Sequence, residues 1–330
     1  MKNRRKALTA AALALPVVLT AVSLCVGVYH ITPAGLWKAV TGGGSTDDLG
    51  MRMVILNVRL PRTVLALLSG AALAVSGAAL QGLFRNPLVF EFSLGISYGA
   101  AFGAALSLIV VGRAFPPQAS AFVFSILAVF LVMAVAGRST APPVTILLAG
   151  IITSALFQAL LSLVEFFSNP YALQSLVFWL MGSLGRAGWE DLAVSLPLVT
   201  AGTVVLIMMR WRVNVLSLGL DEARSLGIRV TRDRAMIIAA ATLATAAATA
   251  VTGVINWVGL VVPHLVRLAV GPDNRKVIPL SALFGASLLL AADTLIRAAS
   301  PFDFPIGILT SLVGIPFFIV LLRRSGRIWQ

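Results

Sequence analysis

Charge is the scarce quantity in this sequence. Only 11% of its 330 residues are charged, and 12 acids stand against 25 basic residues. A soluble domain carries about a quarter charged residues. With so few, the chain cannot cover a water-facing surface. Histidine and cysteine are scarcer still: His30, His264 and Cys25 are the whole complement. A single cysteine makes no internal disulfide, and no cysteine–histidine cluster has metal-ligand spacing, so no metal site is assigned. No G-x-x-x-x-G-K-[ST] loop is present to cradle nucleotide phosphates, and no cofactor is called for. Gly95-Ile96-Ser97-Tyr98-Gly99 matches G-x-S-x-G. A nucleophile elbow needs a preceding strand and a histidine in reach, whereas this segment opens an apolar helix. No catalytic residue is assigned.

Hydrophobic sequence is what the chain has in excess. Apolar residues make up 59%, and the mean hydropathy is +0.98. They fall in blocks about 20 residues long, the length of a bilayer crossing. Membrane lipid is therefore the solvent, and helices are the expected form because each satisfies its own backbone polar groups. Ten spans can be drawn, at 7–28, 64–84, 92–111, 117–136, 143–167, 192–209, 235–254, 257–270, 277–296 and 304–322. The predicted class is all-α and polytopic, one transmembrane domain over residues 1–330. The basic start, Met1–Lys6, followed by a long apolar run reads as an anchor rather than a cleaved signal. The eighth span is short and carries Pro263, His264 and Arg267, which points to burial among other helices. Residues 171–184 suggest a short interfacial helix.

The net charge of +13 would suggest nucleic acid in a soluble chain. Here the basic residues sit in short loops between apolar blocks, and no nucleic-acid partner is implied. With both termini inside, 18 of the 25 basic residues fall on the cytoplasmic side, as the positive-inside rule demands. Of the seven on the outside, three, Arg52, Arg59 and Arg62, cluster in and just beyond the polar stretch 41–57. Two acids fall within spans, Glu165 and Asp293. Asp293 lies four residues before Arg297, on the same helix face, as a potential ion pair. No acid is expected near mid-membrane, which weighs against an ion-coupled carrier.

Between Arg210 and Arg234 lies the longest inside loop. Its core, Leu218-Gly219-Leu220-Asp221-Glu222-Ala223-Arg224-Ser225-Leu226-Gly227, reads as a short helix between glycines. Acids near its start and Arg224 later suit the helix dipole. A docking element and an ordinary solvated loop both fit it.

Several stretches in order then resemble one family. They are Arg59-Leu60-Pro61-Arg62, Gly70–Gly77, Gln81 with Asn86-Pro87-Leu88, Leu94–Ser97, Leu148-Ala149-Gly150, the loop 218–227, Val258–His264 with Arg267, Ala292-Asp293, Pro305-Ile306-Gly307 and Gly314 with Pro316–Phe318. Together they resemble the FecCD-type permeases of ABC importers, over about 31–327.

The resemblance implies the type II ABC importer permease architecture: ten helices, a homodimer or paired heterodimer, two ATP-binding subunits inside and a substrate-binding protein outside. The membrane would be a bacterial or archaeal cell membrane. The cargo implied is a metal chelate, iron–siderophore first, with haem, cobalamin and molybdate-type oxyanions as alternatives. By motif match, Arg59, Arg62 and Arg297 correspond to binding-protein docking residues. Leu218, Gly219, Asp221, Glu222, Ala223, Arg224, Leu226 and Gly227 match the ATPase-coupling element. Tyr98, Gly150, Gly307, Thr310 and Gly314 fall on the implied passage. The chain departs from the family pattern at Gly253–Trp257, at Pro143 and Val144, and at Asp303, which replaces a glutamate.

Overall fold

A computed structural model describes residues 2–41, 46–112, 115–137, 141–185, 188–300 and 302–325. Of the basic residues used to orient the chain, Arg113, Arg138, Arg186 and Arg327 lie outside that set. The described residues form helices and no strand. In chain order these are α1 (Lys2–Cys25), α2 (Pro33–Thr41), α3 (Thr46–Met53), α4 (Leu60–Phe84), α5 (Ile96–Ala105), α6 (Pro117–Ala136), α7 (Pro143–Phe166) and α8 (Pro170–Leu180). They continue as α9 (Trp189–Met208), α10 (Arg210–Leu216), α11 (Leu220–Ser225), α12 (Val230–Thr252), α13 (Val258–Val270), α14 (Asn274–Ala299) and α15 (Ile306–Ser325).

The ten expected spans are all present as helices. Six are long and apolar enough to cross a membrane, and shorter apolar helices at Ala10–Cys25, Ile96–Val111, Val258–Val270 and Ile306–Val320 supply the rest. The chain is a multi-pass membrane protein. The semi-apolar stretch at 171–184 is helical as α8. Proline stands in the first turn of α4, α6, α7 and α8, where its missing N–H is no loss.

The described part of the polar stretch 41–57 is helical: α3 runs through a π-helical turn, Val54–Arg59, directly into α4. Ile31 and Ile55 are buried there against Leu36, Met51 and Val54. Polarity set which side of this helix faces outward. It did not break the backbone ladder.

At the centre stand α4, α12 and α14, most of whose apolar windows are buried inside the protein. About two-thirds of the windows of α6, α7 and α9 remain uncovered. Small residues allow the central contacts. A Cβ on Gly70 would overlap the Gly285 carbonyl of α14, and one on Gly77 would overlap the Gly259 carbonyl of α13. Backbone-to-backbone approach is how helices pack tightly without a hydrophobic driving force between them. Antiparallel α4 and α14 thus define two ends of the bundle. One holds Arg62 and Arg297; the other holds Phe84, Asn274 and the α10–α12 connection.

Candidate functional site

At the first end the structure gathers the three arginines singled out by motif. Arg62 Nε donates to Asp293 Oδ1 at 2.8 Å, and its Nη2 donates to Asp303 Oδ1 at 3.1 Å. Arg297 Nε donates to the other Asp293 oxygen at 3.0 Å, so the expected i, i+4 pair forms. The side chain of Asp293 is 1% exposed. Both its oxygens are taken by arginines from different helices, an arrangement that offsets the cost of burying the carboxylate. Arg297 also donates to the Ser23 carbonyl at 3.1 Å, the Val26 carbonyl at 2.8 Å and Ser23 Oγ at 2.6 Å, all around the end of α1.

Arg59 lies beneath this surface, 5% exposed. Its Nη1 donates to the Leu24 carbonyl at 2.6 Å and its Nη2 to the Tyr29 carbonyl. Its guanidinium is spent on the chain that leaves α1. Arg62 and Arg297 are almost equally covered, their side chains 13% and 12% exposed, and Asp303 is nearest the surface. Arg52 is exposed and apart from this network.

At the opposite end, α11 occupies the loop singled out by sequence. Gly219 precedes it at φ 150° and Gly227 follows at φ 78°, backbone shapes that favour glycine. Ala223 is fully buried and fastens the helix, while Leu218 and Leu226 are 59% and 56% exposed. Asp221 accepts from Arg224 at 2.7 Å, and Glu222 is exposed. Beside it opens a cavity of about 420 Å³ lined by Leu226, Arg229, Arg232 and the Arg212–Asp233 pair.

The five passage positions do not converge within one chain. A Cβ on Gly150 would overlap the Ser93 carbonyl, and one on Gly307 would overlap the Met181 carbonyl. Both glycines are packing contacts. Thr310 and Gly314 line an apolar cavity of about 320 Å³ between α13, α14 and α15, with Trp257 and Phe317. Tyr98 is half-buried, its ring edge-on to Phe92 at 5.5 Å. Exposed apolar residues run along both α7 (Leu148, Ile152, Leu156) and α15 (Leu312, Ile315, Ile319).

The FecCD transport family profile matches residues 15–324. The chain belongs to the FecCD transport family. It is 41% identical over 278 residues to the cobalamin import system permease protein BtuC of Halobacterium salinarum, covering 82% of this chain and 74% of that one. It is 38% identical to the hemin transport system permease protein HmuU of Yersinia pestis, covering 95% and 94%. Its backbone superimposes on a solved metal-chelate type ABC transporter in an inward-facing conformation, with TM-score 0.87 and 35% identity over 97% of this chain and 99% of that one. The protein is thus an ABC-transporter permease.

This FecCD permease also pairs two motif residues with each other and buries an acid that sequence reasoning did not single out. Arg267 donates to Gln81 Oε1 and to the Ala78 carbonyl at 3.2 Å, and Gln81 Nε2 donates to the Gly259 carbonyl at 3.3 Å. Glu91, in the connection between α4 and α5, is 2% exposed. The signal available in sequence was its setting, an acid flanked directly by Phe90 and Phe92.

Proposed function

We propose that this permease is the translocating subunit of a binding-protein-dependent importer of metal chelates, with iron–siderophore as cargo. Two copies form a homodimer. Two ATP-binding subunits dock on the cytoplasmic end and a soluble binding protein docks outside. The α11 end is cytoplasmic, with both termini, following the charge bias.

The observation that carries the reading is α11. A short helix fastened through Ala223, with Leu218 and Leu226 turned outward beside a charged cavity, has the chemistry of a protein-docking element. Exposed leucines next to arginines serve such an interface better than they serve a solvated loop. Leu218, Gly219, Asp221, Glu222, Ala223, Arg224, Leu226 and Gly227 pass the motion of the ATPase to α10 and α12, between which α11 is strung.

The arginine end supports the second partner. Arg62 and Arg297 offer the surface contact for an acidic binding protein, and Arg59 holds the helix ends beneath them. The apolar faces of α7 and α15 meet those of the second copy, and the passage with Tyr98, Gly150, Gly307, Thr310 and Gly314 closes only between the two. A polar chelate cannot cross about 30 Å of hydrocarbon unaided. The binding protein supplies affinity, the passage stays weakly binding, and ATP hydrolysis on the partner subunits shifts the two access states.

Reconstitution tests this directly. Proteoliposomes holding the permease, its ATP-binding subunit and its binding protein should take up ferric siderophore only with ATP. Uptake driven by an ion gradient without the ATP-binding subunit would overturn the importer reading. Uptake of haem, cobalamin or molybdate in place of ferric siderophore would overturn only the cargo.

A further inference from the structure

Glu91 opens a 3-10 turn, Glu91–Leu94, that leads into α5. It is almost fully buried, and neither carboxylate oxygen has a hydrogen-bond partner. The carboxyl lies against the first turn of α13: a Cβ on Gly259, the second residue of that helix, would stand 2.6 Å from Glu91 Oε2. Gly259 in turn packs on Gly77, seven residues before the end of α4 at Phe84. At 1.5 Å per residue, that is about 10 Å inside the bundle end. No acid was expected at such depth.

Among the described residues, no counter-charge comes from the surrounding elements. The π-helical turn and α3 aside, α4 carries only Arg62, at its far end; α6 carries no charged side chain, and α5 carries only the phenol of Tyr98. The one acid of α7 is Glu165, also at the far end. From α13 come His264 and Arg267, and Arg267 is already bonded to Gln81 and Ala78. Arg85, nearest in the connection itself, is exposed. An ionised carboxylate left without donor or counter-ion costs several kcal/mol, so burial here favours the protonated acid.

We propose that Glu91 is a proton-binding site that holds the 91–95 turn beneath α13, and that release of the proton drives this turn out toward water. The turn is placed to transmit such a movement. Phe92 meets Tyr98, and the Ser93 carbonyl abuts α7 at Gly150. Two positions on the candidate passage thus touch the turn that the proton holds. Burial pushes the Glu91 carboxyl up to about 7. A raised acid binds protons more tightly in the buried state than in water. The bias toward the buried turn therefore grows as pH falls from about 7 to the ordinary 4.5 and is level outside that window.

The test needs only the purified chain in lipid nanodiscs, so its outcome is separate from that of the importer reading. Ser93→Cys, in a Cys25→Ser background, is labelled with a water-soluble maleimide between about pH 5 and about pH 8, with Glu91 or with Glu91→Gln. The thiol's own titration cancels in the comparison. Labelling with Glu91 should exceed that with Glu91→Gln by about fivefold at the alkaline end and match it at the acid end. Equal labelling across the range overturns the proposal. Should Glu91→Gln fail to fold, infrared spectra of the natural chain and Glu91→Asp decide the matter. A protonated-carboxyl band that titrates near neutrality and shifts in Glu91→Asp is expected. Its absence at about pH 5 overturns the proposal.

Discussion

Arg62 and Asp293 stand 231 positions apart in the chain and 2.8 Å apart in space. Their bond, shared with Arg297, ties the start of α4 to the end of α14, and through Ser23 and Val26 to the end of α1. It converts three separate helix ends into one surface.

Removing the shared acid should therefore cost more than removing either arginine. Asp293→Asn leaves two guanidiniums facing each other with their common counter-charge gone. Destabilisation of about 3 kcal/mol is expected, measured by denaturant unfolding of the detergent-purified chain. A double-mutant cycle on Arg62→Ala and Asp293→Ala should return a coupling of about 1–3 kcal/mol. Strict additivity would contradict the network.

Arg59 and Arg62 should separate by phenotype. Arg59 is buried and bonded to two backbone carbonyls, so Arg59→Gln should lower thermal stability whether or not a binding protein is present. Arg62→Gln should weaken binding-protein docking, and less so at high salt, because screening already removes that term in the unaltered chain. Surface plasmon resonance at two ionic strengths reads the difference.

The exposed leucines flanking α11 should matter to assembly and not to folding. Leu218→Ser and Leu226→Ser should leave the unfolding midpoint within about 0.5 kcal/mol of the original. Retention of the ATP-binding subunit on size-exclusion should fall about tenfold. Ala223→Leu should do the opposite, loosening α11 itself because Ala223 is fully buried and a larger side chain there overpacks.

The glycine contacts of α4 predict a steep positional contrast. Gly77→Ala sets a methyl against the Gly259 carbonyl and should cost about 1–3 kcal/mol as the helices part. Gly50→Ala meets nothing within 4 Å and should be neutral or slightly stabilising, since alanine is the better helix former. Thermal unfolding of both variants side by side checks this.

Much of the fold was legible in the sequence because bilayer length acts on consecutive residues. A run of about 20 apolar side chains declares a span without reference to any other part of the chain. The Asp293–Arg297 pair and the glycine-bounded α11 were legible for the same reason: both depend on neighbours three or four positions away. The helical continuation of α3 into α4 was not, because a polar stretch holds no bilayer-length run of apolar residues to declare it.

What consecutive residues do not contain is the partner of a side chain across the bundle. The sequence determined the helices, their order and the family to which the chain belongs. Only the tertiary structure decided that Arg59 turns inward to the Leu24 and Tyr29 carbonyls, and that Arg62 and Arg297 share one carboxylate. The same holds for Glu91. In sequence it is an acid in a short connector and reads as solvated, yet the close approach of Gly77 to Gly259 and of Gly150 to Ser93 folds that connector under two helices. Burial depends on which backbones can touch, and that is settled by packing between distant segments.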